Sequence, residues 1–119
     1  MYFKELKRHN EVIKECSILT FEQSGKSFRF KMVVDFKNGS CLYVKEVIID
    51  GRIKKYSYHW QDESGKLLCR WDNAPDWDVP TFPHHKHTAN EVLPSLTITF
   101  TDVLNEIVEI IKGEATLYK

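Results

Sequence analysis

The amino-acid sequence predicts an α+β fold: a five-stranded antiparallel meander sheet with one face covered by a C-terminal α-helix. Three observations carry this. Four turn signals, Ser24-Gly25, Asn38-Gly39, Asp50-Gly51 and Asp62-Glu63-Ser64-Gly65, cut residues 12–72 into runs of strand length. Apolar and polar side chains alternate within those runs. Leu104, Ile107, Val108 and Ile111 then recur at helical spacing over residues 101–112, with Gly113 as a natural stop.

The strands are predicted over residues 12–23, 26–37, 40–49, 52–61 and 66–72. Asn-Gly and Asp-Gly favour two-residue hairpin turns, whose central residues both take positive φ. On that geometry Phe36 pairs with Cys41, Val34 with Tyr43, Tyr43 with Tyr58 and Cys41 with Trp60. One face then holds Leu19, Phe21, Phe28, Phe30, Met32, Val34, Phe36, Tyr43, Val47, Tyr56, Tyr58 and Trp60. It is the candidate core. The opposite face holds Thr20, Arg29, Lys31, Leu42, Val44, Glu46, Lys55, Ser57 and His59.

The fifth strand admits two registers. An even one puts Leu67, Cys69 and Trp71 in the core, with Arg70 beside Ser57 and Asp72 beside Lys55 on the open face. A bulged turn with Gly65 in the left-handed conformation inverts it and drives Arg70 into the aromatic layer, which is costly without a partner. Burial favours the even register. Residues 73–96 form a long connection containing all four prolines, and Trp77, Phe82 and those prolines favour order. Thr101 is the expected helix cap, with Asp102 at its positive end. Residues 2–10 are compatible with a short helix.

The 119 residues suit one domain, 1–119, able to bury roughly two thirds of its unfolded surface. Apolar residues are 42% and charged residues 29%, an ordinary balance for a globular protein. No run approaches the roughly 20 apolar residues of a membrane span. The opening segment lacks an apolar h-region, so a cytoplasmic location is expected. Cys16, Cys41 and Cys69 fit neither a disulfide framework nor a Cys-x-x-Cys zinc site. Formal charge is zero, which disfavours a globally basic nucleic-acid binder. Residues 1–60 are nonetheless net +5 and residues 61–119 net −5, either scatter on a solvated surface or a basic face for phosphate or an acidic partner.

Two constellations carry candidate chemistry. Four of the five histidines lie between residues 59 and 87, three of them in Thr81-Phe82-Pro83-His84-His85-Lys86-His87. Such a segment is a polar surface loop, a metal site if a carboxylate or thiolate completes it, or a source of general acids and bases near neutral pH. Glu46, Lys55, Ser57, His59, Arg70 and Asp72 form the second, on three neighbouring strands. Glu46 and His59 lie roughly 13 Å apart along the strands and serve opposite ends of a groove. Cross-strand ion pairing is the plain alternative for Glu46 and Lys55.

The blocks Tyr56-Ser57-Tyr58-His59-Trp60-Gln61-Asp62, Arg70-Trp71-Asp72-Asn73-Ala74-Pro75 and Pro80-Thr81-Phe82-Pro83-His84-His85-Lys86-His87 together resemble the TumE-type toxin family of prokaryotic toxin–antitoxin systems. The resemblance covers roughly residues 40–112. It implies a small cytosolic toxin neutralised by a cognate antitoxin encoded beside it, of the helix-turn-helix DNA-binding kind, and a ribonuclease activity. Its motif positions are Tyr58, His59, Arg70, Asp72, Asn73, His84, His85 and His87.

The leading expectation is therefore a metal-independent endoribonuclease with no cofactor. His85 or His87 is its general acid or base, Arg70 its phosphate stabiliser and Glu46 its second acid–base group. Lys55, Tyr58, His59, Asp72, Asn73, His84 and Lys86 are expected to bind the RNA substrate. A non-enzymatic binding module is one rival, and a metal-dependent hydrolase using His84, His85 and His87 is another. A homodimer is compatible with either.

Overall fold

A computed structural model describes residues 2–75, 79–96 and 98–117; Trp77 lies outside the described residues. The elements follow in the order α1 (Phe3–Arg8), β1 (Ile13–Ser24), β2 (Ser27–Phe36), β3 (Cys41–Ile49), β4 (Arg52–Gln61), β5 (Leu67–Asp72), β6 (His85–His87), β7 (Val92–Pro94) and α2 (Phe100–Leu117). The strands form one antiparallel sheet in chain order. The predicted fold class holds, and the sheet has seven strands rather than five. The two additional strands come from the proline-rich connection, where His85–His87 adds to β5.

One face is covered by α2, whose Phe100, Val103, Leu104, Ile107, Val108 and Ile111 are buried against the sheet. The helix begins one turn-position earlier than expected. Thr99, not Thr101, closes it: Asp102 N–H donates to Thr99 Oγ1 at 3.2 Å and Thr99 N–H donates to Asp102 Oδ2 at 3.3 Å, a reciprocal capping box. It also runs through Gly113. No helix of the described residues is long and apolar enough to cross a membrane.

Phe30, Met32, Val34, Phe36, Tyr56, Tyr58, Trp60, Cys69 and Trp71 point into the core as predicted. β3 is inverted relative to the prediction: Leu42, Val44, Glu46 and Ile48 are buried, while Tyr43 is exposed and Val47 only half-buried. The cause is the turn before it. Phe36 N–H donates to Ser40 O at 2.9 Å and Gly39 N–H to Phe36 O at 3.0 Å, closing a three-residue loop in which Gly39 takes φ 92° and Asn38 Oδ1 accepts from Ser40 N–H at 3.0 Å. This bulged turn has one residue more than the two-residue turn assumed, so Val34 pairs with Leu42 and every β3 side chain changes face.

The next turn is of the predicted kind, with Asp50 at φ 52° and Gly51 at φ 79°. A bulge between the Val47 and Ile48 pairings then restores the parity of β4, so Val44 faces Tyr58 and Glu46 faces Tyr56. β5 repeats the device. Its turn is the bulged one, with Gly65 at φ 89°, and a second irregularity beside Gln61 returns Arg70 to the open face, opposite His59 rather than Ser57. Ser57 pairs with Asp72, not Lys55 with Asp72. At the far edge Leu19 and Phe21, expected in the core, are exposed.

Candidate functional site

Register builds the site on the face opposite α2. Tyr43 pairs with His59, His59 with Arg70, and Arg70 with His87. These four side chains form one transverse row, because directly paired residues point to the same side of a sheet. Two residues along each strand lies a second row: Lys31 pairs with Lys45, Lys45 with Ser57, Ser57 with Asp72, and Asp72 with His85.

Asp72 is the hub of the site and is 4% exposed. Its Oδ2 accepts from Arg70 Nε at 3.0 Å and lies 3.6 Å from His87 Nε2. Its Oδ1 accepts from the Ala74 N–H at 3.0 Å and lies 2.8 Å from His85 Nε2. His85, 1% exposed, has Nδ1 at 2.9 Å from the Pro83 carbonyl. A carbonyl only accepts, so Nδ1 carries a proton and Nε2 is the nitrogen directed at the carboxylate. The Asn-Ala-Pro bend has a physical role here. Asn73 Oδ1 accepts from Tyr56 N–H at 3.0 Å and Asn73 Nδ2 donates to Lys54 O at 3.0 Å, locking the chain so that the Ala74 amide meets Asp72.

The Thr-Phe-Pro-His segment is similarly tied. Thr81 Oγ1 donates to His84 O at 2.6 Å and accepts from Ser95 N–H at 2.7 Å. The Phe82-Pro83 peptide is cis. A cleft of about 420 Å³ opens beside these groups, lined among others by Lys45, Lys55, Ser57, Arg70, Asp72 and His87. Burial lowers the His87 imidazole below its ordinary value, an effect Asp72 opposes. Burial, helped by the Arg70 cation, lowers His59, whose Nδ1 is 3.4 Å from Arg70 Nη1.

The structure thus brings Arg70, Asp72, His85 and His87 together, with His59 beside Arg70, Lys55 on the cleft wall and Asn73 at its bend. Four predicted site residues lie elsewhere. Glu46 is 0% exposed beneath α2, where the Tyr2 hydroxyl donates to its Oε1 at 2.6 Å and the Tyr58 hydroxyl to its Oε2 at 3.1 Å. The inverted β3 takes it, and its partner Tyr58, to the covered side. Lys86 also points there, donating to Glu106 at 2.8 Å with its ammonium 5.4 Å from the Trp71 ring centroid. His84 stacks on Tyr56 and shares a 2.8 Å hydrogen bond with its hydroxyl.

Metal donors are likewise regrouped. Asp72, His85 and His87 each offer one atom within 4.8 Å of the others, whereas the sequence suggested His84, His85 and His87 with an unspecified carboxylate or thiolate to complete the set. A histidine whose other nitrogen donates to a carbonyl is suited to ligation, but the Arg70 guanidinium on the same carboxylate opposes a second cation. Lys45 was missed by the sequence reading: with Tyr43 and Val47 on the candidate core face, alternation leaves Lys45 on that face too. No signal within β3 could have found it, since a charged residue stands in either alternating set, Lys45 in one and Glu46 in the other.

A protein-family model described as Toxin TumE matches residues 3–112. No curated protein and no solved structure matches the chain. The chain belongs to the TumE toxin family.

Proposed function

We propose that this toxin is a metal-independent endoribonuclease acting in the cytoplasm. The observation that carries the reading is the transverse row in which two imidazoles, His59 and His87, flank the guanidinium of Arg70. At about 4.8 Å per strand their backbones stand roughly 10 Å apart, leaving the cation between them. His87 takes the 2′-hydroxyl proton as that oxygen attacks the adjacent phosphorus. Arg70 stabilises the added negative charge of the phosphorane. His59 gives a proton to the departing 5′-oxygen, leaving a 2′,3′-cyclic phosphate and a 5′-hydroxyl end. His59 takes the part expected of Glu46, which is on the other side of the sheet. Asp72 holds Arg70 and His87 in place, and His85 supports Asp72 from beneath.

Family membership implies an antitoxin partner. We read it as a helix-turn-helix DNA-binding protein encoded beside the toxin. The deciding experiment incubates the purified toxin with RNA in the presence of a chelator and maps the ends formed. Cyclic-phosphate ends are expected. Intact RNA would overturn the reading. The donor cluster of Asp72, His85 and His87 favours a second reading, a metal-dependent hydrolase, and cleavage seen only after a divalent metal is restored would establish that one instead.

A further inference from the structure

The open face continues beyond the cleft. Two smaller grooves adjoin it, one of about 390 Å³ bordered by Lys31, Tyr43, Ser57 and His59, the other of about 340 Å³ bordered by Thr20, Arg29 and Lys31. Lys45 borders all three, so they form one path. Its cationic side chains are Arg29, Lys31, Lys45, Lys55 and Arg70. Two acidic groups there are already engaged: Glu22 pairs with Arg29 at 2.7 Å and Asp72 with Arg70. Asp35 lies two register positions beyond Tyr43, opposite Cys41. Beside the lysines stands a partly exposed aromatic ring: Tyr43 is 42% exposed, and its centroid is 6.5 Å from that of His59.

We propose that this face is a track for single-stranded RNA, running from Arg29 and Lys31 past Lys45 to Arg70, with one unstacked base lying on Tyr43. The assignment of RNA over DNA rests on the ribonuclease reading; the preference for single strands does not. A lysine row interleaved with an accessible ring is the means by which backbone and base face are bound without reading sequence. A duplex keeps its base faces stacked and offers none to Tyr43. From β2, which holds Lys31, to β5, which holds Arg70, the face crosses three strand spacings, about 15 Å, enough for a few nucleotides.

The test measures fluorescence anisotropy with a labelled single-stranded DNA oligonucleotide, which lacks the 2′-hydroxyl and stays intact. Binding tighter than to the same sequence as a duplex is expected. Tyr43→Ala should weaken it roughly 10-fold, with Tyr43→Phe restoring it. Lys45→Ala should lower the slope of log affinity against log salt by about 0.7. Equal binding of duplex, unchanged affinity in Tyr43→Ala and Lys45→Ala, or capture of a polyglutamate peptide in place of the oligonucleotide would each overturn the track. RNA cleavage persisting in variants that bind like the parent would leave the nuclease reading standing without it. Single-strand binding without cleavage would do the reverse.

Discussion

The two faces of the sheet each bury a carboxylate, and the two carboxylates have opposite surroundings. Among the described residues, the hydrogen-bond partners of Glu46, under α2, are the hydroxyls of Tyr2 and Tyr58. Burial raises its pKa, and those hydrogen bonds only partly counter the effect. Asp72, on the other face, meets Arg70, His85 and His87. Burial is alike in both; what differs is that a guanidinium, Arg70, and two imidazoles share the site of Asp72. A carboxylate among hydroxyls ties an apolar core together. A carboxylate between a guanidinium and imidazoles holds those groups in fixed positions next to a cleft.

The largest effect that sharpens this contrast is catalytic. Arg70→Ala or His87→Ala should each lower RNA cleavage about 100- to 1,000-fold and abolish growth arrest, while the thermal midpoint stays within a few degrees. Glu46→Gln should leave cleavage intact. Equal losses in Glu46→Gln and Arg70→Ala would break the division between faces.

Second is stability on the covered face. Glu46→Ala leaves two tyrosine hydroxyls without their acceptor beneath α2. Urea unfolding should show a loss of about 2–4 kcal/mol, with cleavage retained at temperatures where the variant is folded.

Third is the turn that decides which face Glu46 occupies. Gly39 has φ 92° and a Cβ there would meet Glu63 Oε2 at 3.0 Å. Gly39→Ala should therefore cost about 1–2 kcal/mol, read by the same unfolding assay. A neutral result would mean that the turn has another conformation in solution.

The smallest effect is a pH dependence. The folded-state pKa of Glu46 is raised. The folded state thus holds the proton more tightly than the unfolded chain. That contribution is complete below the ordinary glutamate value and is lost as pH rises through the raised one. Urea-unfolding free energies of the wild type and Glu46→Gln, compared from acid to neutral pH, should diverge in favour of Gln as pH rises. Parallel curves would place Glu46 outside the apolar layer.

Much of this was legible in the chain. Strands β2, β4 and β5 have one clearly apolar side each, ending in Phe36, Trp60 and Trp71, so their inward faces follow from alternation alone. β3 does not. Leu42, Val44, Glu46 and Ile48 compete with Tyr43, Lys45, Val47 and Ile49, and each set has one charge among apolar residues. Only turn geometry separates them, and Asn38-Gly39 forms either a two-residue or a bulged three-residue turn. The same ambiguity moved Glu46 into the expected site and Lys45 out of it. In β5 both sequence signals were sound, since a bulged turn and a second bulge coexist.

By itself the sequence determined the number of hairpins in its first 72 residues, the closing helix and the identity of the Arg70, Asp72 and His87 groups, because turn chemistry and hydrophobic period act over a few residues. The tertiary structure decided which side of the sheet each group occupies. That choice rests on single-residue bulges whose energies are small, and on pairing between β5 and the distant His85–His87 strand. Local pattern does not encode such pairings, and here they put His59, Arg70 and His87 in one row.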